Sequence, residues 1–378
     1  MMKTSADDLI RSVDEKITAV RTQTLDFSFN ELADMHSEGE LIIDPAFQRM
    51  FRWTEGAQAR FIESLLLELP IPPIFLIERE DRVYELIDGL QRISSYLHFR
   101  GQLVIDGERK EPLVLADCDI VPELNGVTYS DLPRALEIKL KRSYIRAEIL
   151  RKESDPRLRY YMFKRLNTGG EVLSEQELRN ATIRLLSNDF NEFIADMSRN
   201  IDFAKCVGII SPNARLRKFD QELVLRFFAY KNSLDTYIHD VADFLTEYME
   251  DVSDPDSETS FEYSKERIVF EKTFLVLRLI SDKLEIDSKI FGTVNPATGE
   301  PRGQFSVYHY EGITLGLQAV IDKVNVEDDE QIGRLAAVVK TGKADRDFLK
   351  HGGGGKNYRN PLLARIMYFS DRFSEVVD

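Results

Sequence analysis

The stretch Asp88-Gly89-Leu90-Gln91-Arg92 follows a short apolar run at 84–87 and opens a segment of helical periodicity that continues to about Arg100. An acid, a glycine, an amide and a guanidinium at a strand-to-helix turn suit the holding of an anion. Gly89 lets the backbone approach a ligand, and the first amide groups of the following helix have no partners within it. Free N–H groups and the helix dipole both favour negative charge there, phosphate above all. Gln91 and Arg92, in the first turn, add an amide donor and a two-pronged guanidinium. Asp88 repels a bare phosphate, but with a divalent cation between them it becomes a ligand. The plainer alternative makes Asp88 the helix N-cap and Arg92 a surface charge.

A second glutamine–arginine pair, Gln48-Arg49, lies in "DPAFQRMFRW", just past another apolar run and close to the single tryptophan, Trp53. Phe47, Phe51 and Trp53 read as core aromatics. A third cluster, "FKRLNTGGEVLSEQELRNA", combines Lys164, Arg165, Asn167, Gly169, Gly170 and Arg179, although its glycines also suit a left-handed helix end. Between 134 and 165 there are eleven Lys/Arg against four Asp/Glu. Alternation in "KLKRSYIRAEIL" puts some of these charges on one side of a strand. Lys139, Lys141, Arg142 and Arg146 are therefore the candidates for nucleic-acid phosphates, to be weighed against a solvated face.

Other chemistries find little support. No Gly-x-Gly-x-x-Gly follows a strand, and "HGGGGKN" at 351–357 fails the phosphate-loop pattern. Lys350 stands where its first glycine should be, and Asn357 replaces the Ser/Thr that would hold magnesium. The five histidines show neither a His-x-x-x-His pair nor a His-Asn-His layout. Cys118 and Cys206 have no metal-ligand spacing and make no disulfide framework. A formal net charge of −15 argues against coating DNA with the whole surface. No apolar run approaches the roughly 20 residues of a membrane helix, and acids near the start stand where a signal peptide has its apolar core. A cytoplasmic protein without a membrane partner is the expectation.

The positioning elements follow from caps and periodicity. Ser28 and Glu31 form a capping box for a helix to about Gly39, followed by a strand in "ELIID". Thr54 caps a second helix through Leu69, "PIPPIF" stops it, and "IFLIE" and "VYELI" read as two strands. "SYIRAEIL" gives a further strand. Past Asp155-Pro156 the texture is helical, with a second capping box at Ser174 and Glu177. Helical stretches follow at 218–232, 234–250, 263–283, 306–323, 329–341 and 358–374, with an acidic linker near 250–262. The fold class is α+β: an N-terminal helical extension (1–24), an α/β domain (25–155) and a mostly α-helical domain (156–378).

In four ordered segments the sequence resembles the N-terminal domain of GmrSD-type restriction systems, a family with a ParB/sulfiredoxin-like core. The family's "P-x-(Y/F)-Q-R-x-(Y/F)-x-W" is matched by Pro45, Phe47, Gln48, Arg49, Phe51 and Trp53, and its "P-I-P" by Pro70-Ile71-Pro72. Its Asp-Gly-Gln-Gln-Arg signature appears as Asp88-Gly89-Leu90-Gln91-Arg92, with Leu90 replacing the usual glutamine. A later "F-x-R-L-N-x-x-G-x-x-L-(S/T)-x-x-E-L" is matched from Phe163 through Leu178. Many members carry a His-Asn-His nuclease domain, which these histidines do not reproduce.

The resemblance implies a protein of anti-phage defence whose signature binds, and often hydrolyses, a nucleoside triphosphate with magnesium. Asp88 is then the expected metal ligand or water-holding group, and Gln91 the water-orienting one. Arg49 and Arg92 contact phosphate beside Gly89 and Gln48, while Asn167 and Arg179 line the far wall. DNA is the expected macromolecular partner, and a homo-oligomer is compatible with this reading. Two alternatives stand beside it: a ParB-like core that itself nicks DNA, and a non-catalytic nucleotide or DNA sensor serving a separately encoded effector.

Overall fold

In a computed structural model of the chain, the residues described are 10–11, 14, 21–43, 51, 53–105, 107–154, 174–183, 186–238, 240–295, 301–353, 356 and 358–377. The chain divides into two compact units, 1–170 and 171–378. The architecture matches the expected α+β class, with a mixed sheet and its helices first and a mostly helical part second.

The first unit begins with strand β1 (Thr22–Ser28) and helix α1 (Phe29–Glu38), whose N-cap Ser28 accepts from the Glu31 amide. Strand β2 (Leu41–Ile42) and helix α2 (Glu55–Leu66) follow, the latter capped by Thr54 through the Ala57 amide. Strands β3 (Ile74–Glu78) and β4 (Tyr84–Asp88) lead into helix α3 (Leu90–Phe99). A short hairpin, β5 (Val104–Ile105) with β6 (Glu108–Arg109), precedes helix α4 (Arg134–Arg142) and strand β7 (Tyr144–Leu150). The sheet order is β1-β7-β3-β4-β2. Pairs β1–β7 and β3–β4 are antiparallel; β7–β3 and β4–β2 are parallel. Helices α1 and α2 each pack on α3 and α4. Their buried faces supply Phe29, Phe61, Ile62, Leu65, Ile93 and Tyr96 to one core with Ile74, Leu76 and Ile149.

Two local readings change. Residues 22–24 belong to strand β1, which is edge-on to the sheet and buries only Phe27, so its alternation carries little apolar signal. The basic run 134–142 is a helix, not the start of a strand. Leu136, Ile138 and Leu140 imitate a period of two, but Glu137 sits one helical turn from both Arg134 and Lys141 and bonds to each. Only past Ser143 does the chain extend, with Ile145, Ala147 and Ile149 buried and Tyr144, Arg146 and Glu148 on the other side.

The second unit contains α5 (Glu175–Ile183), α6 (Asp189–Met197), α7 (Ile201–Cys206), α8 (Pro212–Leu216), α9 (Phe219–Ser233), α10 (Val241–Ser253) and α11 (Tyr263–Lys283). A hairpin, β8 (Gly292–Val294) with β9 (Pro301–Phe305), separates these from α12 (Val307–Leu317), α13 (Asp329–Gly342), α14 (Arg346–Leu349) and α15 (Arg359–Val377). The capping box at Ser174 is reciprocal: the Ser174 amide donates to Glu177 Oε2 at 2.9 Å, and the Glu177 amide to Ser174 Oγ at 3.3 Å. Part of the acidic stretch is helix α10, which begins at its cap Asp240 and ends at Ser253. Phe203, Phe227, Phe228, Phe270 and Phe274, all fully buried, form an aromatic core of edge-to-face, tilted and stacked pairs.

Candidate functional site

Strand β4 buries Leu86 and Ile87 and ends on the half-buried Asp88. The N-cap of α3 is Gly89, not Asp88, so the cap residue itself offers the helix no side chain. Its φ of 109° is a backbone state that side-chain-bearing residues rarely adopt. A Cβ at Gly89 would also lie 2.3 Å from Cγ2 of Ile74, a fully buried residue of β3. Gly89→Ala is therefore expected to cost ~2–5 kcal/mol, the sum of left-handed strain and overpacking. A thermal melt measures this directly, and an unchanged midpoint would show that the turn relaxes freely.

With the cap position taken by glycine, the Asp88 carboxylate turns to Arg92: Nη2 donates to Oδ2 at 2.8 Å. The pair spans one helical turn, with side-chain exposures of 39% for Asp88 and 14% for Arg92. Arg92 Nε is buried and makes no hydrogen bond among the described residues. The first-turn amides of α3 thus lie beside a carboxylate–guanidinium pair with unused donor capacity.

Gln91 does something sequence reasoning did not foresee. Its Oε1 accepts the Trp53 amide at 3.1 Å. Trp53 in turn stacks edge-on against Phe61, and its carbonyl accepts from Gln58 Nε2 at 2.8 Å. Gln58 Oε1 then meets His98 Nδ1 at 2.7 Å, and burial lowers the His98 pKa. This chain of polar contacts fastens Trp53 to the start of α3. Gln48 and Arg49 themselves, like Asn167, lie outside the described residues. Arg179 lies within the helical unit and is buried. It donates to Thr246 Oγ1, Gln176 Oε1 and the Ala242 carbonyl and faces Glu222 at 3.7 Å, so its donors are held by its own helices rather than by an open wall.

The four basic candidates are also located. Lys139 faces Glu68 at 3.4 Å, Lys141 donates to Glu137 at 2.7 Å, and Arg146 faces Asp26 at 3.3 Å. Hydrogen bonds from Lys141 and Arg134 hold the Glu137 carboxyl down at about 2. Arg142 is exposed and makes no ion pair among the described residues. Much of the local positive excess is thus internally matched. Lys139, Arg142 and Arg146 nevertheless line one groove of about 1070 Å³, formed by the end of α2, the 70–73 turn, α4 and β7. Tyr144, in the middle of the basic block, was passed over in the sequence; its signal was an aromatic on the polar face of a strand.

Among the described residues, no group of three or more His, Cys, Asp or Glu could hold a metal ion. Magnesium, however, binds through one or two carboxylates together with substrate phosphates rather than in an all-protein cage. Asp88, with one oxygen outside its ion pair, fits a cation that arrives with a polyphosphate. Among the described residues, no helix is long and apolar enough to cross a membrane.

The family model described as the GmrSD restriction endonuclease N-terminal domain matches residues 29–184. That span includes strands β2, β3, β4 and β7 of the sheet but not β1, together with the α3 start and helix α5 of the helical unit. No curated protein and no solved structure matches the chain. The chain thus carries a GmrSD restriction endonuclease N-terminal domain over residues 29–184.

Proposed function

We propose that this domain binds a nucleoside triphosphate with magnesium at the start of α3 and hydrolyses it, within a restriction-type defence protein that acts on or senses DNA. The observation that carries the reading is the glycine-capped α3 start at Gly89, flanked by Asp88 and Arg92 inside the family-matched span. The dipole of this glycine-capped helix start attracts the phosphates, and Arg92 supplies fixed positive charge where negative charge builds up during phosphoryl transfer. Asp88 would hold magnesium, which supplies charge neutralisation to the bound phosphates. Gln91, through its bond to the Trp53 amide, holds Trp53 beside the site, and an amide so engaged positions rather than activates; Gln48 and Arg49 contribute phosphate contacts in this proposal. Asn167 completes the phosphate contacts in this proposal.

The test is phosphate release by the full chain with magnesium and a panel of nucleoside triphosphates, with Asp88→Asn as the comparison. Wild type should turn over, and the variant should lose at least ~100-fold in rate, the scale of removing one preorganised charge-stabilising group. Equal rates would discard the hydrolytic reading. Plasmid incubated with magnesium alone tests the alternative that the core nicks DNA. Tight nucleotide binding without turnover would instead make the domain a sensor for a separate effector.

A further inference from the structure

We infer that the groove between α4, the 70–73 turn and β7 holds single-stranded DNA, with a base stacked on the ring of Tyr144 and its neighbouring phosphates on Arg142 and Arg146. The inference deepens, and rests on, the DNA-contact part of the function proposed above. Tyr144 is 68% exposed at the first position of β7, on the side facing away from buried Ile145 and Ala147. Arg146 shares that side two residues on, and Arg142 ends α4 two residues before, separated from Tyr144 only by Ser143. An open aromatic face between two guanidinium groups is what a planar base with phosphates on either side requires. Leu69, Ile71 and Ile138 give the groove apolar walls.

The charge balance decides between DNA forms. Lys139, Arg142 and Arg146 share the groove lining with Asp26, Glu68 and Glu148, so the lining is formally neutral. Duplex binding draws mainly on neutralising many phosphates, which a neutral lining cannot supply. A single strand adds stacking, which is indifferent to net charge and unavailable from bases shut inside a duplex. The volume of about 1070 Å³ also suits a few nucleotides rather than the flank of a double helix. Arg142, without an ion pair among the described residues, is ready for the first phosphate. Arg146 must exchange Asp26, at 3.3 Å, for the second.

The experiment is fluorescence anisotropy of the full chain, without nucleotide, on a labelled oligo-dT strand and on the same strand in a duplex. Each is titrated at several salt concentrations with wild type, Tyr144→Ala and Tyr144→Phe. The expected result is preference for the single strand, with a log–log salt slope near −1.4 for two phosphates (~0.7 each). Tyr144→Ala should weaken binding roughly five- to a hundred-fold, and Tyr144→Phe, which keeps the ring, should bind as wild type. Equal binding of both forms with no effect of Tyr144→Ala overturns the inference while leaving DNA contact standing. Binding of neither form, even at low salt, overturns both and returns the groove to a protein partner.

Discussion

Arg92→Ala is expected to lower the turnover number for phosphate release at least ~100-fold and to leave the melting temperature of the first unit nearly unchanged. The two halves of this prediction have separate causes. Among the described residues Nη2 of the guanidinium pairs with Asp88, and Nε is buried without a hydrogen-bond partner. Among the described residues one ion pair orients the side chain and leaves it further donors for phosphate. An ion pair one turn apart, with its carboxylate 39% exposed, contributes only a few tenths of a kcal/mol. Truncation thus removes a charge aimed at the helix start without removing packing that the sheet depends on. Arg92→Lys keeps the charge but not the fork and should fall between wild type and alanine. If Arg92 acted only on ground-state binding, KM alone would rise; the mechanism requires the turnover number at saturating nucleotide to fall. Steady-state kinetics beside a thermal melt separate these cases, and turnover within twofold of wild type would rule out Arg92 as a transition-state group.

How far the site could be read from sequence depends on the range of the interactions that built it. Caps are local: Ser28, Thr54 and the Ser174–Glu177 box act where their spacing put them, because a cap needs only three or four residues to define it. Strands β3 and β4 were visible as apolar runs bounded by turn residues. The choice made by Asp88 was not. Both a cap and an ion pair to Arg92 were open to it, and the outcome follows from Gly89 occupying the cap position at φ 109°. The balance of the basic block was hidden for another reason. Arg146 meets Asp26 only because β1 and β7 pair in the register Asp26↔Arg146, across 120 residues of sequence. The same register places Tyr144 opposite Ser28 at the strand end, where its ring stays open. Arg179 was singled out by its place in the third polar cluster, one residue past the matched motif. Sequence neighbours could not show that Thr246, Ala242 and Glu222, all distant in sequence, take up its donors.

The largest stability effect is expected where the helical unit buries charge. Glu311 on α12 is shared: Oε1 accepts from Arg226 of α9 at 3.0 Å, and Oε2 from Arg365 of α15 at 2.7 Å. Arg365 is 2% exposed by side chain and lies over the Tyr308 ring. Its Nη1 reaches the His351 and Lys356 carbonyls, but Glu311 is its only carboxylate among the described residues. Arg226 retains Glu222 at 2.9 Å. Burial alone would lower the Arg226 pKa; the coulombic pull of Glu222 and Glu311 outweighs it and keeps the group above its ordinary value. Glu311→Gln preserves shape and removes the charge, leaving Arg365 buried beside a neutral amide. Breaking one side of such a pair costs ~3–5 kcal/mol, because the desolvated partner is left uncompensated. For a unit of this size that lowers the melting temperature by roughly 6–20 °C. Removing both charges in Glu311→Gln/Arg365→Met should recover most of the loss, since the desolvation penalty goes with the guanidinium. Calorimetry of the full chain follows the helical unit's transition in both variants. If the double variant melts no higher than the single one, the loss arises from packing around α12 and α15 and not from an unpaired charge.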